Sequence, residues 1–239
     1  MPGLSAATLL VADGDGTMPA SGCAFEDAAS LPTAPVAATP YAAGDFRVEV
    51  GAQGTLTVRH VADASRIVSS TPAGTGFLAV TRGSLTAKDV QGSFSFAERD
   101  GTTCSSPRVE GVAGDGSRVL LRGSFADGGD CASLRFEVRF CQARPGHLAF
   151  EARTSDPSFN ALSLRFASDE QERVWGLGEQ FPHDRLNLKG RRIPVIAQEG
   201  GIGRGHTPIT QAVNAASSGS GGSQESTYYA APHVLTSRG

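Results

Sequence analysis

The most regular pattern along the chain is an alternation of apolar and polar residues. The clearest example is the segment 134–140, LRFEVRF, in which an apolar residue stands at every second position and a charged residue between. Because successive side chains of a strand point to opposite faces, this pattern predicts one face in a core and the other in water. The segments 46–50 and 56–59 alternate in the same way, and the Gly51-Ala52-Gln53-Gly54 stretch between them predicts a β-hairpin.

More segments carry this signal, and residues that favour turns separate them. Further strands are predicted at 94–96, 119–121, 148–152 and 162–166. Turns are predicted at Asp115-Gly116, Asp127-Gly128-Gly129 and Arg144-Pro145-Gly146. Since no helical period intervenes, the sequence predicts an all-β fold in which antiparallel sheets pack as a β-sandwich.

Two segments lack the alternation. Residues 1–40 are rich in alanine, proline and threonine, with scattered prolines that would interrupt any helix, so we expect a disordered leader there. Residues 215–226, AASSGSGGSQES, are too polar and glycine-rich to pack and predict a mobile surface loop. The domain organisation expected from this is a leader at 1–40 and one sandwich domain at 41–239.

Charge and hydropathy narrow the possible partners. The chain has 21 basic and 24 acidic residues, a net charge of −3, so it lacks the positive field that binding to nucleic acid requires. No run of about 18 apolar residues is present, which predicts a soluble protein without a membrane-spanning helix. The leader has neither the basic start of a secretory signal nor the arginines of a transit peptide, so an intracellular location is expected.

The cysteines and histidines show no metal-binding spacing. Cys23, Cys104, Cys131 and Cys141 contain no CxxC pair, and the last two stand at the ends of one predicted strand, too far apart for a disulfide. We therefore expect free thiols in a reducing compartment. The five histidines include no HExxH motif, so neither a metal nor another cofactor is expected.

The segment 174–192, VWGLGEQFPHDRLNLKGRR, resembles a sequence signature of a known protein family. Its two blocks, Gly176-Leu177-Gly178-Glu179 and 186–191 (LNLKGR), resemble a signature near the end of the amino-terminal domain of glycoside hydrolase family 31. The segment 228–239 is similar to the strand that leads to the family's catalytic barrel. The resemblance implies a galactose-mutarotase-like supersandwich from a retaining α-glycosidase, ending before the (α/β)₈ barrel with its two catalytic aspartates, so no catalytic residue is expected here.

The next segment, 198–205 (QEGGIGRG), resembles a loop of the sulfoquinovosidase-like branch, whose members hydrolyse α-glycosides of a sulfonated glucose. This implies that the chain helps to close a carbohydrate-binding pocket, whose substrate is an α-glucoside or a sulfoquinovoside. Glu199 would accept a hydrogen bond from a sugar hydroxyl, and Gly200, Gly201 and Gly203 would let the backbone approach the ligand. Arg204 would offer a planar pair of donors to the sulfonate, unless it pairs with a surface carboxylate.

Other residues of the motif region favour structural roles. Glu179 is expected to hold the edge of the sandwich through buried hydrogen bonds rather than to touch the ligand. Trp175, between apolar neighbours, is expected in the core rather than as a stacking platform for sugar. Asp184, Arg185 and Arg191 are expected to form a network around a turn.

Three alternatives remain open at this point. An apolar run followed by Asp13-Gly14-Asp15-Gly16-Thr17 resembles the nucleophile loop of haloacid-dehalogenase-type phosphatases, although that fold requires alternating helices and parallel strands. Gly201-x-Gly203 before a predicted helix at 208–213 suggests a nucleotide site, but His206 replaces the third glycine. The third alternative is a sandwich that only binds carbohydrate.

Overall fold

The computed structural model describes residues 6–11, 32–37, 39–90, 93–178, 187–190, 207–216, 229, 231 and 233–237. The chain divides into two compact units. The first consists of residues 1–84 and 100–168, and the second of residues 85–99 and 169–239.

Strands dominate the described residues. In chain order they are β1 Ala6–Val11, β2 Tyr41–Ala43, β3 Phe46–Gly51, β4 Thr55–His60, β5 Asp63–Ser70, β6 Leu78–Val90, β7 Ser93–Cys104, β8 Pro107–Gly114, β9 Arg118–Phe125, β10 Arg135–Arg144, β11 His147–Thr154, β12 Ala161–Leu164, β13 Val174–Gly176 and β14 Val234–Thr236. A 3-10 helix at Gly129–Cys131 precedes β10, and an α-helix, α1, spans Pro208–Ala216.

The strands form antiparallel sheets, as the alternation predicted. The largest has the order β1-β11-β10-β9-β8, and a four-stranded sheet has the order β2-β3-β4-β5. A three-stranded sheet has the order β12-β6-β7, and β13 pairs with β14. The hairpin of β6 and β7 starts and ends in the first unit, while its tip, residues 85–99, belongs to the second. The all-β fold with antiparallel sheets is therefore confirmed.

One apolar core joins the sheets of the first unit. Alternate residues of β9, β10 and β11 pack against residues of β3, β4 and β6, with the members Phe46, Val48, Leu56, Val58, Leu78, Val80, Val119, Leu121, Phe136, Val138, Phe140, Leu148 and Phe150. Phe136 lies near the centre, edge to face with Phe77 and Phe125. Burial of such side chains stabilises the fold by roughly 1.5–3 kcal/mol each.

The predicted turns at Gly54, Gly116 and Gly146 are present. Each has a positive φ, between 70° and 94°. At the β3–β4 hairpin the Gly54 N–H donates to the Gly51 carbonyl at 2.9 Å. Glycine is needed at such positions because a Cβ atom disfavours the left-handed region.

One half of the prediction for β10 was wrong. Phe136, Val138 and Phe140 do face the core, but Arg139 on the opposite face is buried, with only 5% of its surface exposed. Its guanidinium pairs with Glu137 and lies 3.8 Å from a carboxylate oxygen of Glu151. Because both carboxylates compensate the charge, Arg139 can be buried on a face that alternation alone assigns to water.

The segment Ala6–Val11 also differs from the expectation of a disordered leader. It forms β1, which pairs antiparallel with β11 from Ala6↔Arg153 to Val11↔Leu148. Further along, Ala34 forms a bridge with Val112 through backbone hydrogen bonds of 2.9 and 2.8 Å. The apolar run AATLLV contains neither charge nor proline, so it can extend the free edge of β11. The domain boundary at residue 41 stays a prediction.

The expectation of free thiols was wrong. Cys104, at the end of β7, forms a disulfide with Cys131 in the 3-10 helix, with 5.6 Å between their Cα atoms. Cys141 is disulfide-bonded as well. The spacing argument correctly separated Cys131 from Cys141, but it could not show that Cys131 meets a distant strand. An intracellular location stays a prediction, and the cysteines no longer support it.

The fold does not favour the phosphatase alternative. The apolar run before Asp13 is a strand, but it lies at the edge of an antiparallel sheet rather than inside a parallel one. Asp13 and Asp15 themselves lie outside the described residues. No described helix is long and apolar enough to cross a membrane.

Candidate functional site

The structure describes the motif region around the predicted substrate-binding loop rather than the loop itself. Outside the described residues lie Glu199, Gly200, Gly201, Gly203 and Arg204, and also Glu179, Asp184, Arg185 and Arg191. The proposed roles of these residues stay predictions. The described parts are 174–178 and 187–190 from the two motif blocks, followed by α1 and β14.

The first motif block begins with β13, whose partner is β14. Val174 pairs with Thr236, Trp175 with Leu235, and Gly176 with Val234. Gly176 has a φ of 106°, and a Cβ atom added to it would lie 2.2 Å from the carbonyl oxygen of His233. Only glycine therefore allows the two backbones to approach this closely.

Leu177 adopts an unusual backbone conformation. Its φ is 63°, and the flanking Gly176 and Gly178 have φ values of 106° and 107°. A left-handed conformation costs a residue with a side chain roughly 1–2 kcal/mol. The Leu177 N–H donates to the His233 carbonyl at 2.7 Å, which helps to hold this turn against β14. Strained positions of this kind concentrate near functional sites.

The second motif block is tied to the first through Asn187. Its Oδ1 accepts hydrogen bonds from the backbone N–H of Val174 at 2.9 Å and of Lys189 at 3.1 Å. The Leu188 N–H donates to the Val174 carbonyl at 2.8 Å, and the Leu188 side chain is buried. The two blocks that carry the family resemblance therefore meet at one small sheet.

Trp175 is only half-buried, which is intermediate between the predicted core position and an exposed platform. Near it, Lys189 donates through Nζ to the carbonyl of Asp169, and the Asp169 carboxylate accepts from the N–H of Gln171 and Glu172 at 2.9 and 2.8 Å. These contacts fix the start of β13 and the 187–190 turn.

The predicted helix after the loop is present as α1. Thr207 caps it, because its Oγ1 accepts from the Thr210 N–H at 3.2 Å, and Pro208 occupies the first helical position. The Thr210 side chain is fully buried and bonds to the Thr207 hydroxyl at 2.9 Å. Among the described strands no parallel βαβ unit accompanies α1, so the fold does not favour the nucleotide alternative.

Described residues of the first unit line two open grooves. One of about 480 Å³ is lined by charged residues that include Arg122, Arg135 and Glu137. The other, of about 540 Å³, is lined mainly by small residues, together with Arg108 and Arg165. Phe136 is the aromatic residue among their described lining, and its ring is buried in the core. Neither groove therefore offers the exposed aromatic face on which sugars commonly stack.

Two carboxylates with a lowered pKa accept hydrogen bonds that stabilise turns. Burial works to raise the pKa of Asp115, but hydrogen bonds from Arg118 and Ser117 outweigh it and lower the pKa to about 2. Asp127 is also partly buried, and the N–H groups of Ser106 and Ser105 hold its pKa below the ordinary value. Among the residues that the structure describes, no cluster of histidine, cysteine and acidic side chains could hold a metal ion.

Sequence reasoning found both motif blocks but missed how they are connected. The left-handed Leu177 and the double acceptor Asn187 were not identified as structural positions. Glycines on both sides of Leu177 were the available signal, since they often mark a backbone with positive φ. The role of Asn187 depends on its distance to Val174, which no local pattern predicts.

Known proteins share part of this sequence and most of this fold. No protein-family model matches the chain. It is 36% identical over 83 residues to the sulfoquinovosidase of Agrobacterium fabrum, a match that covers 35% of this chain and 12% of that protein. A solved GH31 family sulfoquinovosidase from E. rectale, in complex with the aza-sugar inhibitor IFGSQ, has a similar fold, with a TM-score of 0.59 and 18% identity.

That structural likeness extends over 80% of this chain and 26% of the solved one. The chain thus spans about an eighth to a quarter of the length of the proteins it matches. The chain is similar in sequence to a sulfoquinovosidase over 35% of its length, and in fold to a sulfoquinovosidase of glycoside hydrolase family 31 over 80% of its length. These similarities confirm the resemblance indicated by its motifs.

Proposed function

We propose that the chain is a module of an α-glycosidase that hydrolyses O-glycosyl bonds of α-glycosides of a sulfonated glucose. In this proposal the module helps to close the sugar pocket, and a separate barrel domain supplies the catalytic carboxylates. The observation that supports it most directly is the junction of the two motif blocks, in which Asn187 bonds to the backbone of Val174. Similarity to proteins named as sulfoquinovosidases supports the substrate class.

In sequence, the loop at 198–205 lies between the junction of the motif blocks and α1. The described part of the second motif block ends at residue 190, and Thr207 caps α1, so the loop lies between two segments with defined hydrogen bonds. Anchored flanks reduce the entropy that a loop loses when it orders around a ligand. In this proposal Glu199 accepts a sugar hydroxyl, and Gly200, Gly201 and Gly203 allow close backbone approach.

Arg204 provides the selectivity in this proposal. A guanidinium offers two parallel N–H donors, which match two oxygens of a sulfonate better than an ammonium group does. A neutral hydroxymethyl group at the same position would gain much less. The module would therefore favour the sulfonated sugar over plain glucose.

The test uses the full-length protein, with a chromogenic α-sulfoquinovoside and the matching α-glucoside as substrates. Arg204→Ala is expected to lower kcat/KM for the sulfonated substrate by tenfold or more, as loss of a charged hydrogen bond costs about 1.5–3 kcal/mol, and to leave the α-glucoside unaffected. Glu199→Ala is expected to lower kcat/KM for both. The chain 1–239 alone is expected to turn over neither substrate.

Glu170→Ala and Lys88→Ala are the matched controls, because both side chains are exposed and belong to the same unit as the loop. Neither change should alter kcat/KM. Unchanged kinetics for both Glu199→Ala and Arg204→Ala would refute the proposed loop role. Equal losses on both substrates for Arg204→Ala would refute its role in selectivity.

A further inference from the structure

The groove of about 540 Å³ lies where three turns of the first unit meet at Pro107. These are the β3–β4 turn, the segment 71–77 before β6 and the Ser105-Ser106 turn between β7 and β8. Pro107 is fully buried. It packs against Gly54 and Gly76, where an added Cβ atom would lie 2.5 Å from its Cγ and 2.2 Å from its Cδ, respectively. Close packing of backbone on a proline ring therefore sets the shape of this groove.

Hydrogen bonds hold the three turns together. The Phe77 N–H donates to the Gly54 carbonyl at 2.9 Å, which ties the segment before β6 to the β3–β4 turn. The Asp127 carboxylate accepts from the N–H groups of Ser105 and Ser106 at 3.0 and 2.9 Å, and from the Ser106 hydroxyl at 3.1 Å. A groove whose walls are fixed in advance loses little entropy when a ligand binds.

The charge of this groove is positive. Arg108 and Arg165 belong to its lining, and its described lining contains no acidic side chain. None of the ion pairs among the described residues includes either guanidinium. Asp127 lies next to the lining residue Ala126, so two positive charges stand against one negative charge. In the other groove, by contrast, a glutamate and an arginine of the lining pair with each other.

Neutral hydrogen-bonding groups accompany the two arginines. The side chains of Gln53, Thr55 and Ser105 belong to the lining and form no hydrogen bond with another described residue. The volume of the groove falls within the range of about 300–1,000 Å³ that is usual for small-molecule sites. The described lining offers no aromatic ring, so a neutral sugar would find no stacking surface, and recognition depends on charge and hydrogen bonds.

We propose that this groove binds a sugar that carries an anionic group of oxygen atoms, such as a sulfonate, a phosphate or a carboxylate. The guanidinium groups of Arg108 and Arg165 attract and bind the anionic group, for which their paired N–H donors are suited. The amide and hydroxyl groups of the lining bond to hydroxyl groups of the sugar. The groove belongs to the first unit and the loop at 198–205 to the second, so this inference does not depend on the proposed function.

The first test is a titration of the ¹⁵N-labelled chain, residues 1–239, followed through its amide NMR signals. The probes are sulfoquinovose, glucose 6-phosphate, glucuronate and glucose. The three anionic sugars should shift the signals of Gly74 and Gly76, which line the groove, whereas glucose should not. Raising the salt concentration from about 0.1 to about 1 M should weaken binding, because the Debye length falls from about 10 to about 3 Å.

Two outcomes of this titration would overturn the proposal. The first is the absence of shifts at Gly74 and Gly76 with all three anionic sugars, or equal shifts with glucose. The second concerns inorganic sulfate, which should bind more weakly than the anionic sugars because it has no sugar hydroxyl groups to contact the lining. Equal affinity for sulfate would mean that the groove does not recognise a sugar.

The second test uses variants of the same chain. Arg108→Gln together with Arg165→Gln should raise Kd for the anionic sugars by roughly tenfold, as expected when two exposed ion pairs are lost. Arg135→Gln is the matched control, because Arg135 is exposed in the same unit but lines the other groove, and it should leave Kd unchanged. Unchanged amide signals elsewhere in each variant verify its fold.

Arg204→Ala distinguishes this groove from the loop at 198–205. It should leave Kd for the anionic sugars unchanged, since Arg204 belongs to the second unit. Loss of binding in Arg204→Ala, or an unchanged Kd in the double arginine variant, would overturn the assignment to the groove. Neither result would affect the proposed function, which the kinetics of Glu199→Ala and Arg204→Ala test separately.

Discussion

At the scale of single residues, Asp115 shows how one carboxylate fixes a hairpin. Its Oδ1 accepts from the N–H of Ser117 at 3.0 Å and of Arg118 at 2.8 Å, while Oδ2 pairs with the Arg118 guanidinium. Gly116 supplies the positive φ between them. The sequence Asp-Gly predicted the turn, but the ion pair depends on the hairpin bringing Arg118 back to Asp115.

The shifted ionisation of Asp115 predicts a pH dependence. Its pKa is about 2 in the folded chain against 3.8 ordinarily, so the carboxylate stabilises the fold fully above about pH 4 and progressively less as pH falls toward 2. The difference in unfolding free energy between wild type and Asp115→Asn should be constant above that range and shrink below it. Urea titrations at a series of pH values measure this difference.

At the scale of elements, the pairing of β13 with β14 depends on a steric condition at Gly176. Replacing Gly176 by alanine adds a Cβ atom 2.2 Å from the His233 carbonyl, whereas the same change at Gly190, with a φ of 76°, meets no atom within 4 Å. Both changes incur the cost of a left-handed backbone, but only the first displaces a neighbouring strand.

We therefore expect Gly190→Ala to cost about 1 kcal/mol and Gly176→Ala about 3 kcal/mol or more, with loss of the β13–β14 pairing. Trp175 is the single tryptophan of the chain and lies in β13, so its fluorescence reports on this sheet. Its emission should shift to the red only in Gly176→Ala. Equal stability of the two variants in urea titrations would contradict the steric argument.

The elements also show how far the sequence could be interpreted. Alternation located β3, β4, β10 and β11 because each has one apolar face in the core. It missed β8, where Pro107, Gly111 and Gly114 interrupt the pattern, although hydrogen bonds to β9 still form on either side of a bulge. Arg139 and the Cys104–Cys131 disulfide depend on contacts between distant segments, which local periodicity does not encode.

The candidate site could be predicted only in part for the same reason. The motif blocks are visible as spaced residues, and the structure joins them through Asn187. The roles of Glu199 and Arg204 rest on the family resemblance and stay predictions.

At the scale of the whole molecule, exposed apolar side chains are concentrated in the second unit. They are Leu85, Ile209, Tyr229, Val234 and Leu235. Val234 and Leu235 are neighbours in β14 and so point to opposite faces, which means that both faces of this strand are open among the described residues. Apolar surface of this kind commonly marks an interaction site.

We expect residues 1–239 on their own to self-associate with increasing concentration and to bind a hydrophobic dye. The double change Val234→Thr and Leu235→Thr should reduce both effects, because it removes apolar surface while it keeps residues that tolerate a strand. Val61→Thr, an exposed position of the first unit, is the control and should change neither. Light scattering after size-exclusion chromatography measures association, and a concentration-independent monomer would contradict the expectation.

The hairpin of β6 and β7 determines where the protein can be cut into fragments that contain whole units. Since residues 85–99 belong to the second unit while both flanks belong to the first, the backbone passes between the units three times, at 84–85, 99–100 and 168–169. A shortened version that stops at residue 168 would keep the hairpin tip but lose the rest of its unit. Recombining the units with those of a relative would therefore require an exchange of two separate stretches of chain.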